Sequence, residues 1–180
     1  MRVSLAAIVL VSAFTSACGP MQVPPAPRPP TPDIHFVPTS GGVTDAMLTL
    51  AKVTASDVVY DLGSGDGRIP IAAAKKYGAR GVGIELDPEL IKTANRNAQK
   101  AGVADKVRFT QADLFKTDFS DATVVTLYLS NSINMRLASI LQKQLKRGSR
   151  IVSHRFEMGD WKPEADVRVE GTHIFLWTIK

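Results

Sequence analysis

Cysteine is almost missing from this chain: Cys18 stands alone among 180 residues. No intramolecular disulfide can form and no thiolate cluster for zinc exists, so no metal centre is expected. Runs of one charge sign are missing as well. The 22 basic and 17 acidic residues give a net charge of +5, but the signs are interspersed, which supports only a mild attraction to anionic surfaces. Aromatic residues reach 7% and no basic stripe accompanies them, so no nucleic-acid partner is expected. With 22% of residues charged, a polytopic membrane protein and a wholly disordered chain are both excluded. What is present, 44% apolar residues, suits one globular domain and a tail.

The first forty residues do not read as fold. Arg2 precedes an apolar run over residues 3–14 and then the small residues Thr15, Ser16 and Ala17. This is the pattern of a secretory signal over residues 1–17, and the run falls short of the roughly 20 residues a spanning helix needs. Residues 15–19 also resemble a bacterial lipoprotein processing site, with Thr15 where leucine is usual, which makes Cys18 a candidate for lipidation. An ordinary signal and an uncleaved tether are the alternatives. Residues 18–38 form a Pro-rich linker: eight of the eleven prolines lie between positions 20 and 38, a composition that favours extended geometry and builds no core. The expected result is a domain over residues 39–180, membrane-associated through its N-terminus, as an exported lipoprotein or on a tether.

From residue 40 the pattern becomes regular. Helices are expected over residues 43–53 (capped by Thr44), 70–77, 87–100 and 133–147, the second and third carrying a proline in the first turn and the last three closed by Gly78, Gly102 and Gly148. Strands are expected over residues 57–62, 81–85, 107–111, 123–129 and 150–154, with a closing hairpin of residues 167–169 and 173–179 around Glu170-Gly171. Such alternation predicts an α/β fold, a mostly parallel seven-stranded sheet covered by helices on both faces. The final hairpin fits a seventh strand inserted antiparallel beside the fifth. Ligands of such sheets bind at the carboxyl ends of the strands, where strand order reverses.

The chemistry concentrates at three strand ends. After the first strand the chain reads Asp61-Leu62-Gly63-Ser64-Gly65-Asp66-Gly67-Arg68. A dinucleotide fingerprint wants its third glycine where Arg68 stands, and the Gly-Lys-Ser/Thr of a phosphate-binding loop is absent. A carboxylate at Asp61 repels a pyrophosphate but suits a ligand carrying an ammonium group. Glu85 ends the second strand, where a carboxylate accepts both ribose hydroxyls, and Asp113 follows the third, placed to meet an adenine amino group. Amino-acid end, ribose and adenine together describe S-adenosylmethionine. Each residue also has an ordinary reading: a geometric turn, a solvated strand end, a helix cap.

The set resembles class I S-adenosylmethionine-dependent methyltransferases, residues 61–67 matching their D/E-x-G-x-G-x-G motif and Glu85 and Asp113 their two acidic motifs. The segments PTSGGVTDAMLTLAKV, VVYDLGSGDGRIPIAAAK, GVGIELDPELI, VVTLYL and RIVSHRFEMGDWKP are similar to the group containing the ATP synthase c-subunit lysine methyltransferase and its bacterial relatives. Where those relatives tend to carry Leu-Pro after the aromatic of the fourth strand, this chain has Tyr128-Leu129-Ser130-Asn131. The resemblance implies methyl transfer to a protein lysine or another nitrogen, the acceptor being a protein or a small molecule. It implies that Thr39, Asp61, Gly63, Ser64, Gly65, Gly67, Glu85, Asp113 and the Leu114 backbone hold the cofactor. Tyr128, Asn131 and His154 stand at the ends of strands four and five, on the rim where an acceptor would lie, with His154 either a base or a structural strand-end histidine; Trp161 either packs or lines the pocket, packing being the favoured reading. Because the methyl donor is made in the cytoplasm, an export signal leaves open a non-catalytic exported module that kept the fold.

Overall fold

The computed structural model describes residues 36–180, so the signal, Cys18 and most of the Pro-rich linker lie outside the described residues. Eleven elements follow in the order α1 (Gly41–Leu50), β1 (Val58–Leu62), α2 (Arg68–Tyr77), β2 (Arg80–Glu85), α3 (Pro88–Ala101), β3 (Val107–Gln111), β4 (Val124–Leu127), α4 (Asn131–Gln144), β5 (Arg150–His154), β6 (Ala165–Val169) and β7 (Thr172–Thr178). The strands form one seven-stranded sheet in the order β3-β2-β1-β4-β5-β7-β6. Strands β1 to β5 are parallel, and β7 runs antiparallel between β5 and β6. The expected fold class is the observed one.

Alternation along the strands builds two cores, one per face. Val58, Tyr60 and Leu62 of β1 join Val125, Leu127, Ile151 and Trp177 beneath Ile133, Leu137 and Leu141 of α4. Val59, Val124, Val152 and Ile174 point the other way, against Val43, Met47 and Leu48 of α1 and Ile69 and Ala73 of α2. Strand order reverses between β1 and β4, so the crevice at their carboxyl ends is where a ligand fits.

Several boundaries differ from the sequence reading. Helix α1 begins at Gly41 because Ser40, not Thr44, is its cap, the Ser40 hydroxyl accepting from the Val43 N–H at 3.2 Å; Thr44 is instead buried inside the helix. Helix α2 starts at Arg68, two residues ahead of Pro70, because Gly67 takes φ 80° as its cap. Strand β4 stops at Leu127 and α4 starts at Asn131, since Ser130 turns the chain and caps that helix through the Ile133 N–H. The helix then ends at Gln144, ahead of the Gly148 expected to close it.

Candidate active site

Register creates the centre of the site. Parallel pairing sets Thr126 of β4 beside Asp61 of β1, and the Thr126 hydroxyl donates to Asp61 Oδ1 at 2.7 Å. Burial pushes the Asp61 carboxyl up to about 7; the Thr126 hydrogen bond opposes this, and the nearby Glu85 and Asp66 carboxylates add to it. A buried carboxylate pressed by two further carboxylates is a site prepared for a cation.

Asp61 lines a cavity of about 580 Å³ at the carboxyl edge of the sheet, a size common for cofactor sites. The loop after β1 forms its floor. Gly63 has φ 80°, and a Cβ there would meet Leu129 Cδ2 at 2.8 Å, so this position needs glycine for conformation and for space. Glu85 organises the loop: its Oε2 accepts from the Gly65 N–H at 2.9 Å, and its Oε1 from the Leu86 and Asp87 N–H groups at 2.8 and 3.0 Å. Three backbone donors fix the carboxylate at the cavity wall and leave lone-pair capacity for a hydroxyl. Asp113 and Leu114 close the β3 side, and Asp113 Oδ1 accepts from the Phe115 N–H at 2.9 Å.

Of the residues singled out from sequence, Thr39, Asp61, Gly63, Ser64, Glu85, Asp113, Leu114 and Tyr128 come together around this cavity. Thr39 arrives from far upstream, its carbonyl held by Arg68 Nη1 at 2.7 Å. Gly65 and Gly67 stand behind the lining: the Phe36 ring lies on Gly65, and Gly67 (φ 80°) packs against Phe109 and Ala94. Asn131 does not line the cavity; it is exposed in the first turn of α4. The asparagine that faces inward is Asn134, which donates to Ser153 Oγ at 3.0 Å and to the Phe156 carbonyl at 3.1 Å. His154 is 7% exposed and stands one layer behind the wall, its ring 3.9 Å from that of Tyr128 and its Nδ1 3.4 Å from Thr39 Oγ1. Burial first, then the adjacent Arg155 cation, holds its pKa below the usual imidazole value. Trp161 accepts the Trp177 indole N–H through its carbonyl at 2.7 Å, a packing role.

The residues present fit S-adenosylmethionine. Asp61 offers the anion its ammonium needs, Gly63 leaves room for close approach, and Glu85 is an acceptor beside the floor. Comparison with known proteins decides the matter. The family model of the ANTKMT methyltransferase domain matches residues 61–165. A protein-lysine N-methyltransferase of Saccharolobus islandicus is 44% identical over 153 residues, covering 82% of this chain and 95% of that protein. The chain belongs to the ANTKMT methyltransferase family. The lysine N-methyltransferase of Homo sapiens that is named for the ATP synthase c-subunit is 33% identical over 131 residues, 73% of this chain, which spans 55% of that longer protein. Among solved structures, an RNA methyltransferase from Salinibacter ruber in complex with S-adenosyl-L-homocysteine is 58% identical with a TM-score of 0.78, covering 79% of this chain and 94% of that one.

The protein is therefore an S-adenosylmethionine-dependent methyltransferase with a Rossmann-like fold. Among the lining residues that the sequence reading did not mark as site residues are Arg68, Arg136 and Phe36. Arg68 registered there only as a missing glycine, although its place at the start of a helix that follows the glycine-rich turn was a usable signal. Arg136 sits on α4 with its guanidinium 3.7 Å from the Phe115 ring centroid, a long-range pairing that no local pattern announces. Phe36 lies in the segment read as linker.

Proposed function

We propose that this methyltransferase N-methylates lysine side chains of a protein acceptor. The observation that carries the reading is the Saccharolobus islandicus relative, a protein-lysine N-methyltransferase aligned over 95% of its length at 44% identity. Bound S-adenosylmethionine supplies an activated methyl group, so the protein's part is alignment and exclusion of water. Asp61 holds the ligand's charged amino group, Glu85 takes a ribose hydroxyl and Asp113 with the Leu114 backbone fixes the base. Tyr128, at the end of β4, forms the wall where the acceptor amine arrives, backed by His154. Because His154 does not reach the cavity, the proton of the acceptor ammonium leaves to water, and the reaction favours pH values at which more of the lysine is neutral.

The test is transfer of labelled methyl from S-adenosylmethionine into extract proteins of the organism that makes the enzyme. Label that resists nuclease, yields methyllysine on hydrolysis and vanishes with Glu85→Ala supports the reading. One observation favours a second acceptor: the Salinibacter ruber structure at 58% identity is named an RNA methyltransferase. Nuclease-sensitive label would move the acceptor to RNA. No label in either fraction, with binding intact, would favour a silent module.

We also propose that residues 1–17 direct the chain to a membrane and that Cys18 carries a lipid, the Pro-rich segment serving as spacer. No described helix is long and apolar enough to cross a membrane, so this association rests on the N-terminal sequence. Mass spectrometry of the native N-terminus tests it: a diacylated Cys18 supports the lipoprotein form, and an intact Met1 with no lipid on Cys18 refutes it.

A further inference from the structure

Asp61 accounts for the ammonium of an amino-acid ligand; the carboxylate of that ligand needs donors of its own. Among the described residues, two arginines line the cavity, Arg68 and Arg136. Arg136 is stacked on Phe115, beside the loop that follows β3. Arg68 stands at the first position of α2, on the other side, where the glycine-rich loop ends. Its Nε and Nη2 donate to the two oxygens of Asp66 at 2.9 and 2.7 Å, and its Nη1 donates to the Thr39 carbonyl at 2.7 Å. A guanidinium has five N–H donors in a rigid planar fork, so two remain unspent, one on each Nη. The bidentate Asp66 pair fixes the orientation of the fork and, outweighing partial burial, raises the Arg68 pKa further.

The other side-chain donors at this end carry no charge to match a carboxylate. The Thr39 hydroxyl lies against His154 Nδ1. Ser64 Oγ packs toward Gly83 of β2, 2.5 Å from where a Cβ there would sit. The cap of α2 is a glycine and contributes no side chain.

We propose that Arg68 reads the α-carboxylate of S-adenosylmethionine through its two free N–H groups, so that Asp61 and Arg68 together recognise the zwitterionic end of the ligand. The assignment rests on the cofactor reading above. It makes Arg68 a cofactor-binding residue that also ties the ligand to the segment carrying Thr39, since one Nη group serves both. It also gives a reason for arginine at the position where a dinucleotide fold places its third glycine: the ligand's charged end here is an amino acid, not a pyrophosphate.

Calorimetric titration of the full chain with S-adenosylmethionine and with its decarboxylated analogue, which lacks only the α-carboxylate, tests this directly. The wild-type protein is expected to prefer the carboxylated ligand on the order of ten- to hundredfold, the worth of charge-assisted hydrogen bonds. Arg68→Met is expected to bring that ratio close to one, and Arg68→Lys to retain part of it. A wild-type protein indifferent to the carboxylate overturns the proposal. So does an Arg68→Met variant that weakens both ligands equally, the result of a purely structural role for the Thr39 contact. Because the readout is a ratio within one variant, a general loss of stability in Arg68→Met cannot imitate the expected result. Failure of wild type to bind S-adenosylmethionine at all would remove the cofactor reading together with this one, whereas intact binding with an unchanged ratio in Arg68→Met removes this one alone.

Discussion

Replacing Asp61 by Asn should make the ligand-free protein more stable at alkaline pH while destroying its cofactor site. The carboxyl titrates at about 7 in the fold against 3.8 for the free group. Because the folded-state pKa is raised, the contribution of this group to stability is fullest below the unfolded value and is lost as pH rises through the folded one. A shift of about three units at about 1.4 kcal/mol each sets the cost of the ionised carboxylate at roughly 4 kcal/mol above pH 8. Asn keeps the shape and an Oδ1 that still accepts the Thr126 hydroxyl, and it carries no charge. We expect a gain of about 2–4 kcal/mol at pH 8.5, about 1–2 kcal/mol at pH 5 and little change at about pH 3, read by urea unfolding of both proteins at each pH. The same variant should lose S-adenosylmethionine affinity by about a hundredfold, since the ammonium loses its counter-charge. Wild-type affinity should itself weaken as pH falls below 7 and Asp61 takes up a proton. An Asn variant no more stable than wild type at pH 8.5, or one that binds the cofactor unimpaired, would refute the electrostatic account of this site.

Other expectations concern the frame that holds the site. Gly63→Ala should cost about 1–2 kcal/mol and lower cofactor affinity at least tenfold in thermal melts with and without ligand, because φ is 80° there and Leu129 Cδ2 sits 2.8 Å from the new methyl. Ser130→Ala should destabilise by about 1 kcal/mol through loss of the α4 cap, seen as a lower urea midpoint at unchanged m-value. Asn131→Ala should leave calorimetric cofactor binding unaltered, since that side chain is exposed outside the cavity; a tenfold loss would show that Asn131 belongs to the cofactor site. At the opposite end of the sheet, burial pushes the Asp57 carboxyl up, but hydrogen bonds from Thr123, the Thr54 backbone and Arg150, with the Arg150 charge, outweigh it and hold it below the usual range. Its contribution is therefore present above pH 4 and disappears as pH falls through the folded-state value, so Asp57→Asn should cost about 1.5–3 kcal/mol at pH 7 and progressively less in acid.

The glycine spacing and the two acidic strand ends mark the candidate cofactor cavity along the chain itself, because a parallel α/β sheet exposes its strand ends at one edge and the residues there follow the strands directly in sequence. Asp61, Gly63, Glu85, Asp113 and Leu114 were legible for that reason. Helix caps were less so: Thr44 and Ser40 are both capping types four residues apart, and only packing of Thr44 into the core decides between them. Asn131 and Asn134 posed the same problem on α4, where one turn separates an exposed side chain from one bonded to Ser153 and Phe156.

Fold class and ligand were readable from the chain alone, since hydrophobic alternation, glycine turns and carboxylates at strand ends are local properties. The partners of those residues emerged only on folding. Pairing of β1 with β4 puts Thr126 on Asp61, the antiparallel entry of β7 sets the β6–β7 turn against the start of α1, where Glu170 meets Ser40, and Arg68 reaches back 29 residues to the Thr39 carbonyl. These are long-range contacts, fixed by register and packing rather than by any pattern along the chain, and they give each charge in the site its environment.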